Sequence, residues 1–190
     1  MRPDTNSIVQ AFTVGSPRDR QAVLEALPPS MTREVALQLA GSEEPNIALV
    51  ALDQVTADHV GNRDPETSRL LALACYQVSR RLFLEHGPGP AQVYVNTAGR
   101  SANFAVTALR SAGDYAAVLE LLDEALPWLE EARYHSHLTD LTIARIEAHL
   151  ELGHGAAAKA LLTAVPEDRR AQDVRFASLR LRLEILPDEE

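Results

Sequence analysis

The sequence predicts an all-α chain built from stacked antiparallel helical hairpins, and three observations carry that prediction. First, AVTALRSAGDYAAVLELLDEALPWL around Gly113 and IARIEAHLELGHGAAAKALLTAVPED around Gly153 each join two apolar-periodic helices through a glycine. Aligned on these glycines, Leu122 falls over Leu162, Ala125 over Val165 and Leu109 over His149. A repeat of this length marks stacked supersecondary units rather than one globular core. Second, helix start and stop signals recur along the chain while strand signals are nearly absent; the one β-branched cluster, Val93-Tyr94-Val95, leads into a helical pattern. Third, 46% hydrophobic content over 190 residues is enough to bury a sizeable core.

The elements follow in order. Ser16-Pro17-Arg18-Asp19 supplies a hydroxyl cap, a first-turn proline and a carboxylate for a short helix that stops before Pro28-Pro29. Ser30 is expected to cap a second helix carrying Val35, Leu37 and Leu39 and ended by Gly41. Asn46, after Pro45, opens a third helix through Ile47, Val50, Ala51 and Val55, with Gly61 as its stop. Asp64-Pro65-Glu66 starts a fourth that runs to His86, where Gly87-Pro88-Gly89-Pro90 interrupts the hydrogen-bond ladder. A long helix from Ala91 to Ala112 precedes the Gly113-Asp114 turn and a helix to Glu131. A polar turn from Tyr134 to Ser136, with Ser136 as cap, leads into a helix ending at Leu152; others are expected from Gly155 to Val165 and from Arg169 to Ile185. About nine helices joined by short loops suit antiparallel neighbours. We read residues 1–190 as a single domain, with 1–45 an irregular N-terminal cap, 46–165 the hairpins, and 169–186 a C-terminal capping helix bearing Phe176, Leu179, Leu183 and Leu186.

Composition narrows the function. With 27 Asp and Glu against 18 Lys and Arg, the net charge of −9 repels a phosphate backbone, so nucleic acid is not an expected partner. Lys159 is the sole lysine, which reads as compositional bias rather than as mechanism, although arginine is the side chain better shaped for carboxylates. The single Cys75, within LLALACYQV, reads as a buried structural thiol and allows no internal disulfide. The N-terminal MRPDTNSIVQAFTVGSP lacks the apolar run of a signal peptide, and no stretch approaches membrane-spanning length. A cytoplasmic protein with no membrane partner is the expectation.

The segment ALRSAGDYAAVLELLDEAL resembles the tetratricopeptide repeat in Ala105, Leu109, Gly113, Asp114, Tyr115, Leu122 and Ala125. The second copy keeps Gly153, Ala158 and Leu162 but has His149 and Gly155 where the pattern usually carries a large apolar residue and a tyrosine. Its forty-residue spacing exceeds the usual thirty-four, as in the longer repeats of bacterial signalling proteins and caspase-like CHAT peptidases. The resemblance implies a TPR-like, right-handed α-solenoid in which the first helix of each hairpin lines a groove. It further implies a noncatalytic scaffold or adaptor for protein–protein interaction by peptide binding, without cofactor.

On the helix from Ala91 to Ala112, Asn96, Arg100, Asn103, Thr107 and Arg110 recur at helical spacing and share one face. By the glycine alignment, four of these, from Arg100 onward, fall on the groove side that the resemblance implies. Asparagine amides suit an extended peptide backbone, and guanidinium groups can clamp an acidic group or C-terminal carboxylate. The alternative is a solvated or internally paired face, with Asp140 and Glu147 of the following repeat as partners. Arg175 and Arg182, seven apart on the last helix, extend the candidate partner-binding set, against local pairing with Asp173 and Glu184. Homo-oligomerisation stays open. A second reading is a regulatory sensor for a small anionic ligand or signalling peptide. A third is a metal-dependent hydrolase at His135, His137 and Asp140, although the spacing matches no strong ligand signature and His149 and His154 stand five apart rather than on one helical face. No nucleophile motif, phosphate loop or dinucleotide fingerprint is present, so no catalytic residue is assigned.

Overall fold

The computed structural model describes residues 3–61, 64–86, 91–134 and 136–185. Every regular element among them is a helix. In order these are α1 (Thr5–Thr13), α2 (Pro17–Glu25), α3 (Arg33–Ala40), α4 (Pro45–Gly61), α5 (Pro65–His86), α6 (Ala91–Ser111), α7 (Tyr115–Glu131), α8 (Leu138–Glu151), α9 (Gly155–Ala164), α10 (Glu167–Gln172) and α11 (Val174–Ile185). No helix among the described residues is long and apolar enough to cross a membrane.

Local chemistry sets most of the boundaries. At α2 the Ser16 hydroxyl accepts from the Asp19 amide while Asp19 accepts from the Ser16 amide, closing a reciprocal capping box ahead of Pro17. Asp64 accepts from the Thr67 amide at 3.2 Å and opens α5, and Asp114 does the same for Ala117 at the start of α7. The stops of α6 and α8 share one geometry. Gly113 (φ 73°) and Gly153 (φ 77°) are left-handed; the Asp114 and His154 amides reach back to the carbonyls of Leu109 and His149 at 3.0 and 2.8 Å.

Among the described residues eleven helices stand where about nine were expected, for two reasons. The N-terminal segment holds α1, capped by Asp4 on the Ser7 amide, and it buries Ile8, Val9, Ala11 and Phe12. The expected helix from Arg169 to Ile185 is two helices, because Asp173 adopts an extended conformation and its carboxylate caps the Arg175 amide. Two expected caps also differ. Ser30 contributes its carbonyl, rather than its hydroxyl, to the turn before α3, and α8 begins after His137 at φ 60° without a side-chain cap from Ser136. Residues 87–90 lie outside the described residues, as do Leu186 and His135.

Most helices pack against their neighbours in sequence; α1 packs chiefly against α5, and α4 with α6, α6 with α8, and α11 with both α8 and α9 also touch. Three apolar clusters follow one another along the chain. The first gathers Ile8 and Phe12 of α1, Leu24 of α2, Leu49 and Leu52 of α4, and Leu71, Cys75 and Val78 of α5. The second joins Tyr76 of α5 to Ala98, Ala102 and Leu109 of α6, Val118 and Leu122 of α7, and Leu141 and Ala148 of α8. The third unites Ile143 and Ile146 of α8 with Leu162 of α9 and Phe176 and Leu179 of α11. Helices α5 and α8 each serve two clusters with opposite faces. Apolar residues all round a helix, as in LLALACYQV, are what such double burial requires. Cys75 is fully buried, and that burial pushes its thiol up to about 11.

Candidate functional site

The polar stripe of α6 lies between α4 on one side and α8 on the other, and its arginines are engaged with both. Arg100 forms a two-pronged ion pair with Asp53 of α4, its Nε donating at 3.1 Å. Asp53 is itself buried, so this pair sits at the boundary between solvent and the α4–α6 seam. Arg110 pairs with Glu147 of α8 at 2.6 Å. Farther along, Arg175 of α11 bridges Asp140 of α8 at 2.8 Å and its own neighbour Asp173 at 2.5 Å, while Arg182 reaches Glu151 of α8 at 2.7 Å. Four arginines thus lace α4, α6, α8 and α11 together, each with a carboxylate from an adjoining helix. Glu184 pairs instead with Arg180 at 3.5 Å.

The uncharged members behave differently. Asn96 is exposed and accepts from Gln92 at 2.9 Å. The hydroxyl of Thr107 donates to the Asn103 carbonyl at 2.9 Å, and that of Ser111 to the Thr107 carbonyl at 2.9 Å. The half-buried Asn103 side-chain amide has no protein partner among the described residues, so its donors and acceptor remain available. On the α4 side of the stripe, Thr107 forms one wall of a pocket of about 400 Å³, completed by Val60, Pro65, Ser68, Phe104, Ala108 and Ser111. Its lining is mostly apolar, and none of the described residues that form it is charged.

Two features were invisible in sequence. Tyr134 is buried against Gly99 of α6 so closely that a Cβ there would overlap the ring. Burial raises the Tyr134 hydroxyl, with Arg100 acting against that shift and Asp140 with it. Arg20, buried in α2, donates to the carbonyls of Ala40 and Gly15 at 3.0 Å each and of Ser42 at 2.6 Å. It holds the loop ends on either side of α2 and α3 and faces no solvent groove.

Of the candidate metal ligands, His137 contacts Asp140 at 3.3 Å, where Asp140 also serves Arg175. His135 lies outside the described residues. No group of three or more metal-capable side chains occurs among the described residues. Compared with protein-family models, curated proteins and solved structures, the chain finds no match in any of the three.

Proposed function

We propose that this chain is a noncatalytic helical-repeat module, a TPR-like solenoid, that binds an extended peptide or protein segment across α4, α6 and α8. The observation that carries the reading is the mostly apolar pocket beside Thr107, a turn of helix from the uncommitted Asn103 amide. Its volume of about 400 Å³ falls within the range of pockets that engulf a ligand group, which is generally about 300–1,000 Å³. An apolar side chain fills the pocket and gains from leaving water, while Asn103 and Asn96 address the peptide backbone. Because Arg100 and Arg110 already face carboxylates, an acidic group on the partner has to compete with Asp53 and Glu147. The apolar anchor therefore carries more of the affinity than a carboxylate does.

Selection from a displayed random-peptide library tests this. Peptides that share an apolar anchor are expected, and Thr107→Trp, which fills the pocket from an exposed position, is expected to weaken them at least tenfold without changing the melting temperature. Asn103→Ala should weaken them less. Peptides that bind Thr107→Trp and wild type equally would overturn the reading. A small amphipathic anion is the second reading, favoured by a pocket of about 260 Å³ where Arg170 and Arg180, set against the carboxylate of Glu167, flank Leu162 and Phe176. A melting-temperature rise with hexanoate that Arg170→Ala abolishes would favour it over the peptide.

A further inference from the structure

The histidines that end α8 come together although their spacing in sequence places them off a common helical face. The left-handed stop at Gly153 folds the chain back so that the residue after it meets the last full turn of the helix. At the equivalent stop of α6 these two positions hold Leu109 and Asp114; here they hold His149 and His154. The two imidazoles stand with Nδ1 atoms 3.4 Å apart, ring centroids 5.6 Å apart and ring planes at 52°. That separation is long for a nitrogen-to-nitrogen hydrogen bond. It matches the roughly 3.3 Å between two nitrogen ligands of a tetrahedral ion held at about 2.0–2.1 Å.

We propose that His149 and His154 form a two-histidine site for a transition-metal dication of the zinc and copper class, clipping the end of α8 to the start of α9. The backbone, rather than side-chain packing, brings the two residues together. The His154 amide is fixed on the His149 carbonyl at 2.8 Å and the Gly153 amide on that of Leu150 at 3.1 Å, so the backbone is ordered before the ion arrives and only the imidazole torsions are left to set. His154 is exposed and His149 half-buried, which leaves the outer positions of the ion to water. The charged neighbours acting on His149 are Arg145 of α8 and Asp123 of α7, and these two are paired to each other at 2.5 Å. With two protein ligands, copper should bind more tightly than zinc.

The test is calorimetric titration of the full chain with zinc chloride and with copper chloride at neutral pH. One equivalent is expected to bind saturably, with His154→Ala and His149→Gln each reducing affinity at least tenfold. His137→Ala, outside the pair, should leave it unchanged. Zinc should also raise the melting temperature of wild type, and not that of His154→Ala, which alters only an exposed side chain. Absence of saturable uptake of either ion, or uptake unaffected by His154→Ala, would overturn the proposal.

Discussion

At the scale of single residues, backbone handedness decides more than side-chain contact. Gly113 and Gly153 have open space where a Cβ would stand, so replacing either by alanine costs only the left-handed conformation, about 1 kcal/mol. Arg133 ends α7 in the same way at φ 56°, with the Tyr134 amide on the Leu129 carbonyl at 2.9 Å, and it pays that cost already. Urea unfolding should therefore show Gly113→Ala and Gly153→Ala less stable than wild type and Arg133→Gly more stable by about 0.5–1 kcal/mol. His149 adds a pH dependence. Its folded-state value is depressed, chiefly by burial, so the unfolded chain takes the proton first as pH falls. Stability is lost as pH drops through the ordinary histidine range near ~6.5, and His149→Gln should flatten the profile there. Chemical unfolding at several pH values between about 7 and 5 reads the difference.

At the scale of elements, packing of α6 depends on one close approach and the N-terminal helices on one arginine. Gly99→Ala places a methyl into the Tyr134 ring, so a loss of several kcal/mol is expected, recovered in part when Tyr134→Ala is added. A double-mutant cycle measured by urea unfolding checks the coupling. Arg20→Met removes the donor from three carbonyls and should cost about 2–3 kcal/mol, a change that a surface arginine such as Arg18 would not show. These elements were unequally legible in the sequence. Capping Asp and Ser residues, first-turn prolines and stop glycines act on chain neighbours, so they announced α2 and α4 to α9 closely. Helix α1 escaped because its cap, Asp4, comes without the first-turn proline and first-turn carboxylate that mark α2. The split between α10 and α11 escaped because Asp173 breaks the helix with neither glycine nor proline.

At the scale of the molecule, the lacing arginines connect residues far apart in the chain. Asp53 and Arg100 are 47 positions apart, so spacing showed a cationic face while its anionic partners were beyond the reach of any local pattern. The same separation explains why Gly99 and Tyr134, or the pocket walls Val60 and Phe104, could not be brought together from sequence. The pairing also changes how the face must be probed. Arg100→Glu sets a carboxylate against the buried Asp53 and should destabilise the α4–α6 seam by about 2 kcal/mol or more, so lost binding in that variant would not report on a ligand. Thr107 and Asn103 are the cleaner probes. The most direct test of the peptide-binding face is methyl and amide NMR of the chain titrated with a peptide selected as above. Shifts concentrated on Val60, Phe104, Asn103 and Thr107 are expected; shifts confined to α11 or to the exposed side of α7, with those four unmoved, would contradict binding at this face.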